Sequence, residues 1–351
     1  MGVFVSYLSY FGKDESGLSM ILIGRKHWLL ALIRWRDWGI SKSPVYFWIC
    51  LYLALAHDLF DLDFLISFFS FFVFLHLYGI YGLMINDYSD REWDRQSGKT
   101  NIIGEMSKHK SLGLIALILV AGVVSSFVFF QSPFFMVICV LSYTIATFYS
   151  LPPVRFKERG PLGLLVPAIA QQTLPVLLIF SAFNHLSDFG VLIFSFYVTF
   201  IGFRKIAEHI IMDQVSDLES GLKTYGMTHG IDKVKRFFRL SCLGEIFFLF
   251  FSLIWISIKV FYGFFLLLIF FTLSLCLYRR VSGKTFGDFV HEFCPVLLIP
   301  IFISTLLFIQ YFTYIVIFLF IAAWQHRMIW NYTIRIYKNV GGNRNGKVRR
   351  L

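Results

Sequence analysis

The sequence predicts an all-α, polytopic membrane protein. Of its 351 residues, 57% are hydrophobic and only 15% are charged. The mean hydropathy is +0.70. Apolar runs of bilayer-crossing length recur along the chain, whereas a soluble domain is about 45–50% apolar and about 25% charged.

About 20 apolar residues cross a bilayer as a helix. On that measure spans are predicted near 44–60, 63–85, 111–130, 133–150, 162–182, 189–212, 236–257, 260–278 and 294–313. That makes nine, the first somewhat short. The connections alternate in charge. Segments 1–43, 86–110, 151–160, 213–239 and 279–292 hold 22 of the 32 Lys and Arg residues, while the opposite connections hold only Lys259. By the positive-inside rule the basic connections and the N-terminus face the cytosol. The apolar stretch 293–330 is 38 residues, about 57 Å as one helix and too long for one crossing. A tenth span near 314–330 would return the basic tail to the cytosol; the alternative is a ninth helix that runs on along the interface. Residues 18–38 mix Leu, Ile and Trp with Arg25, Lys26, Arg34 and Arg36, the pattern of a helix lying in the interface. The run at 20–33 is broken by Gly24-Arg25-Lys26-His27 and has no small-residue cleavage site, so it does not read as a signal peptide. Three regions follow: a cytosolic or interfacial N-terminal segment 1–43, a transmembrane domain 44–330 and a basic C-terminal tail 331–351.

Composition also excludes some classes of function. The net charge of +11 is spread over membrane-flanking loops, which fits orientation in a bilayer and no nucleic-acid partner. Cys50, Cys139, Cys242, Cys276 and Cys294 lie in or beside apolar runs, with no CxxC spacing; they read as buried apolar residues, not as zinc ligands or disulfides.

Two acidic clusters carry the chemistry. The first is Asn86-Asp87-Tyr88-Ser89-Asp90-Arg91-Glu92-Trp93-Asp94, and the second is Asp213-Gln214-Val215-Ser216-Asp217, followed by Gly221 and Thr224. They follow the second and sixth spans, on the same side and four helices apart. Asn86, Asp90 and Asp94 are spaced i, i+4, i+8, so on a helix they share one face. Asp213 and Asp217 repeat the i, i+4 spacing. A carboxylate at the bilayer centre costs on the order of 3 kcal/mol, less near the interface, and several together repel. Divalent cations remove both penalties. Magnesium suits such ligands because it prefers hard oxygens and shares its shell between carboxylates, water and phosphate. Two such helices face to face would hold a Mg²⁺–diphosphate between them. A third element, Tyr149-Ser150-Leu151-Pro152-Pro153-Val154-Arg155-Phe156-Lys157, adds hydroxyls and two cations on that side. Arg and Lys are natural phosphate partners.

Together these elements resemble the UbiA-type intramembrane prenyltransferases, from about Arg34 to about residue 313. Residues 86–94 look like that family's NDxxDxxxD motif. Residues 213–224 look like its DxxxDxxxGxxT motif, preceded by His209. Tyr149-Ser150 with Pro153, Arg155 and Lys157 is similar to its YSxxPxRxK loop, and Arg34-Trp35-Arg36-Asp37-Trp38 loosely matches the entry before its first helix. There are departures. Many members continue with an Arg-rich stretch where this chain reads Gln96-Ser97-Gly98-Lys99, and the His-Pro-x-Lys signature of the phosphoribose-accepting branch is absent.

The resemblance implies a helical barrel around a lateral cavity and transfer of a prenyl group from an allylic diphosphate to a lipophilic acceptor. Asn86, Asp90 and Asp94 would hold one Mg²⁺, and Asp213 and Asp217 the other. Arg91, Lys99, Tyr149, Arg155, Lys157 and Lys223 would grip diphosphate oxygens. A terpene cyclase on the same fold is the nearest rival function, and a cation-coupled transporter is a more distant one.

Other polar residues in the spans read as structural. Arg204, Lys205 and Glu208 are expected to pair, Gln171 and Gln172 to bond between helices, and His76 to be a satisfied packing residue. His57, Asp58, Asp61 and Asp63 are expected on a solvated loop at the opposite side.

Overall fold

The computed structural model describes residues 32, 42–96, 98, 101–129, 132–214, 225–258, 263–282 and 286–311. Among them there are helices and turns and no strand. In chain order the helices are α1 (Ser43–Ala56), α2 (Leu62–Gln96), α3 (Ile102–Glu105), α4 (Lys108–Ser126), α5 (Pro133–Ser150), α6 (Leu162–Ala182), α7 (Gly190–Met212), α8 (Tyr225–His229), α9 (Ile231–Ile258), α10 (Gly263–Ser282) and α11 (Phe286–Gln310). Seven of these, α2, α4, α5, α6, α7, α9 and α11, are long and apolar enough to cross a membrane; α1 and α10 are shorter apolar helices. Each of the nine predicted spans falls on one of these nine helices. The predicted tenth span, the interfacial segment 18–38 (apart from Leu32) and the tail lie outside the described residues.

Local sequence explains the helix starts. Asp61 accepts the Phe64 amide at 2.7 Å and opens α2. Ser107 and Ser132 cap α4 and α5, and Pro133 follows Ser132. A short polar side chain just outside a helix satisfies an orphan N–H there, and proline at the first turn loses nothing.

The short helix α1 is the centre of the bundle. Thirteen of its 14 residues are buried, and at 1.5 Å per residue it is about 21 Å long, less than the hydrocarbon thickness. A helix apolar all round is a buried one. Trp48 and Tyr52 meet Phe194 of α7 edge-on, with ring centroids at 5.1 and 4.8 Å. Helices α6 and α11 also pack on α1. By contrast α4 and α5 expose Leu117, Val120, Val124, Val137 and Val140, as lipid-facing helices do.

Helices α6 and α11 are irregular for a stated reason. Each contains a π-helical segment, Ile169–Thr173 and Phe289–Leu298. Proline lacks the N–H that would bond the carbonyl four residues back. Pro175 leaves the Gln171 carbonyl without that donor, and the Tyr46 hydroxyl from α1 supplies one. Pro295 does the same to His291, whose carbonyl accepts from Arg204 Nη2 of α7 at 3.3 Å. The Ala170 carbonyl accepts from Tyr78 of α2 at 2.8 Å, and Thr173 bonds Thr199 of α7 at 2.6 Å. The irregular turn of α6 thereby ties α1, α2 and α7 together. Gln172 bonds between helices as expected, to Tyr46 of α1, while the Gln171 side chain bonds Lys42 just ahead of α1. His76 is satisfied by Ser43 at 3.0 Å and the Phe72 carbonyl at 2.7 Å.

The opposite end of the bundle differs from the expected solvated loop. Asp61 and Asp63 are exposed, but His57 pairs with the largely buried Asp188 at 2.7 Å. Asp188 also accepts from Tyr52 and from the Gly190 amide, and Trp255 donates to Tyr52 at 2.8 Å. Asp58 accepts from Gln310 and Tyr311. The five cysteines are free thiols.

Candidate active site

Helix α2 runs about 52 Å at 1.5 Å per residue, well past its apolar portion. The predicted span ends at 85, yet the helix continues unbroken to Gln96. The first acidic cluster is therefore helical throughout, and Asn86, Asp90 and Asp94 do share a face, each only partly buried. The chain 149–158 lies against that face. Ser150 donates to Asn86 Oδ1 at 3.0 Å, and Ser89 donates to the Ser150 carbonyl at 2.7 Å. These two bonds fix the end of α5 on α2. Beyond it, Lys157 Nζ donates to Asp90 Oδ1, and Arg155 Nη2 approaches the same oxygen at 3.5 Å. Arg155 has φ 43°, in the left-handed region, which a non-glycine residue enters at some cost; from there its Nε reaches Glu158 at 2.6 Å. Burial pushes the Lys157 ammonium below its ordinary pKa, and Asp90 opposes that shift. Tyr149 lies within electrostatic reach of Asp90.

The other predicted residues fall as follows. Arg91 does not point along the shared face: its Nη2 donates to the carbonyls of Gly104 and Met106 at 2.7 and 2.6 Å. Asp213 sits at the C-terminal cap of α7 and meets His209 Nδ1 at 3.2 Å. Asp217, Lys99, Lys223 and residues 34–38 lie outside the described residues. The structure thus brings together Asn86, Asp90, Tyr149, Arg155 and Lys157 on the α2 side and places Asp213 at the end of α7.

Sequence reasoning missed two features. One is Asn101, buried between α2 and α3, whose Nδ2 donates to Asp94 Oδ2 at 2.6 Å. Its signal was available: an asparagine directly before Ile-Ile-Gly-Glu is a helix cap. The other is a buried charged group below Asp213. Arg204 Nε meets Glu245 Oε2 at 2.5 Å, Nη1 lies 3.6 Å from Glu208, and His291 Nδ1 lies 3.1 Å from Glu245. The pairing of Arg204 with Glu208 was expected; Glu245 and His291 as partners were not. Lys205 stands in the same electrostatic group.

The α2 face fits a hard divalent cation by its donor chemistry, two carboxylates and an amide oxygen with no thiol or imidazole. Among the described residues no three acidic, imidazole or thiol side chains converge as a complete cage; magnesium commonly takes part of its shell from water and phosphate. Lys157 and Arg155 on the Asp90 oxygen supply cations of the kind that bind phosphate.

Among curated proteins, none matches this sequence. Two solved structures share the fold, both of a UbiA homolog from Archaeoglobus fulgidus. The one bound to DMAPP and Mg²⁺ aligns with a TM-score of 0.51 and 16% identity, over 78% of this chain and 96% of that one. The one bound to GPP and Mg²⁺ aligns at 0.52 and 16%, with the same coverage. The model of the UbiA prenyltransferase family matches residues 44–290, which take in α1 through the start of α11. On that match, this multi-pass membrane protein belongs to the UbiA prenyltransferase family.

Proposed function

We propose that the protein is a Mg²⁺-dependent intramembrane prenyltransferase. It transfers a prenyl group from an allylic polyprenyl diphosphate to an aromatic or other lipophilic acceptor and releases diphosphate. The observation that carries this reading is the convergence of Asp90 with Lys157 and Arg155 at the end of a membrane helix, in a chain of this family. The ligands of the Archaeoglobus fulgidus homolog, DMAPP or GPP with Mg²⁺, are of the same class.

Asn86, Asp90 and Asp94 would hold one magnesium and Asp213 and Asp217 a second; such ions would supply Lewis-acid stabilisation of the leaving diphosphate. The chain's own residues do the rest. Lys157 and Arg155 stand beside Asp90, where they would offer cations to the diphosphate oxygens. Tyr149, Lys99 and Lys223 complete the grip. Arg91 acts on the loop beside the site through the carbonyls of Gly104 and Met106. When the allylic C–O bond breaks, its electron pair leaves with the diphosphate. The acceptor's carbon or oxygen then bonds the allylic carbon and gives up a proton. The isoprenoid tail lies in the apolar bundle, where each buried CH₂ contributes about 0.8 kcal/mol. The acidic and basic connections face the cytosol, following the charge asymmetry of the loops.

The test uses membranes containing the full chain, labelled prenyl diphosphates of several lengths, and mass spectrometry of the products. Asp90→Ala and Asp217→Ala are each expected to lower diphosphate release at least 100-fold, an order of magnitude drawn from the loss of one preorganised electrostatic group. Near-normal turnover in both variants would refute the metal assignment. Products that contain no acceptor would make the enzyme a cyclase.

A further inference from the structure

Asp94, one helical turn beyond Asp90, has a buried partner of its own. Asp90 meets two cations. Asp94 Oδ2 accepts from a neutral amide, Asn101 Nδ2, at 2.6 Å. Asn101 is only 6% exposed and is itself fixed at several points. Its Oδ1 accepts the Gly104 amide at 2.6 Å, which caps α3, and its Nδ2 also donates to the Asp87 carbonyl at 2.7 Å. Gly104 makes this fit possible: a Cβ there would stand 2.8–3.0 Å from the Asn101 side chain. Arg91 grips the carbonyls of Gly104 and Met106 from α2, and Ser111 of α4 holds the Ile103 carbonyl at 2.8 Å. Three elements thus immobilise one amide group against one carboxylate.

We propose that Asn101 is the positioning residue for Asp94, presetting its carboxylate for the divalent cation on the α2 face. The inference rests on the magnesium–diphosphate reading of that face and adds a residue to it. The chemistry suits the task. A neutral N–H donor orients a carboxylate without neutralising its charge. The hydrogen bond uses one oxygen and need not break when a metal arrives. Partners behind a metal ligand commonly matter by 10–100-fold in affinity.

The test is Asn101→Ser. Serine also caps a helix well, so α3 keeps its N-terminal acceptor, but the hydroxyl is too short to reach Asp94. Asn101→Thr, a capping residue of different shape, provides a second variant should the first fold poorly. The probe is Mn²⁺ with inorganic diphosphate, followed by electron paramagnetic resonance on the full-length protein in nanodiscs. Either variant is expected to bind Mn²⁺ 10–100-fold more weakly, with a matching rise in the Mg²⁺ concentration needed for half-maximal turnover. Combined with Asp94→Asn, Asn101→Ser should add no further loss, because it acts through that carboxylate. Wild-type Mn²⁺ affinity in both Asn101 variants, with affinity lost in Asp94→Asn, overturns the role of Asn101 and leaves the magnesium reading standing. Wild-type affinity in Asp94→Asn overturns both.

Discussion

Arg204 is 4% exposed and Glu245 is fully buried, and the two are joined by a 2.5 Å contact between α7 and α9. A buried ion pair contributes little net stability when intact, because desolvation offsets the attraction. Removing one partner is a different matter, since it strands the other charge. Arg204 has a second task that no apolar side chain could take over, donating to the His291 carbonyl, which Pro295 deprives of the usual donor four residues on. Glu245→Ala is therefore expected to destabilise the protein by about 3–5 kcal/mol, read as the shift in its unfolding transition in detergent. A shift under about 1 kcal/mol would mean that Glu208, 3.6 Å from Arg204, replaces Glu245 at no cost. At this scale the sequence was partly legible. Charged residues inside apolar runs marked Arg204 and Glu208 as a pair, because i, i+4 spacing is visible in one dimension. Glu245 and His291 lie 41 and 87 residues from Arg204 in sequence, and no local pattern links them.

Whole elements were easier to read than their partners. Apolar length located α2, α4, α5, α6, α7, α9 and α11, because a membrane helix must be both long and apolar. It marked where the apolar part of α2 stops, before Asn86, but not how far the helix continues beyond it, to Gln96. It also gave no sign that α7 and α6 approach closely at Gly202, where a Cβ would lie 3.1 Å from the Ala168 backbone. The loop between α6 and α7 shows why connections resist prediction. His57 and His185 stack with centroids 3.8 Å apart, although 128 positions separate them. Burial, and then the His57 charge, hold the His185 pKa below its ordinary 6.5, with Asp188 opposing. The unfolded chain, with His185 near 6.5, binds the proton more readily than the folded protein. The stability this shift confers is therefore present above about pH 6.5 and is lost as pH falls through the folded pKa. The unfolding temperature in detergent should drop below pH 6.5 more steeply than in His185→Asn. Parallel profiles for the two proteins would exclude His185 as the source.

At the scale of the molecule, the α2 half of the candidate site was legible because its acids are spaced i, i+4, i+8 at the end of one span and because cations follow another. Which cation meets which acid was not, since Lys157 reaches Asp90 only through the fold of the 151–157 loop. The same global argument, charge against sidedness, gives an expectation for the C-terminal end. The segment 327–351 carries seven Lys and Arg residues. Nine crossings from a cytosolic N-terminus would leave it on the outer face, against the positive-inside rule. Helix α11 ends at Gln310, and the predicted tenth span, 314–330, is apolar and at 17 residues just long enough for one more crossing. The tail is accordingly expected on the same side as Asp90. A single cysteine at Gly341, in a chain whose five native cysteines are replaced, should react with a membrane-impermeant maleimide only after the cells are permeabilised. Labelling in intact cells would instead make 314–330 an interfacial continuation and leave the basic tail outside.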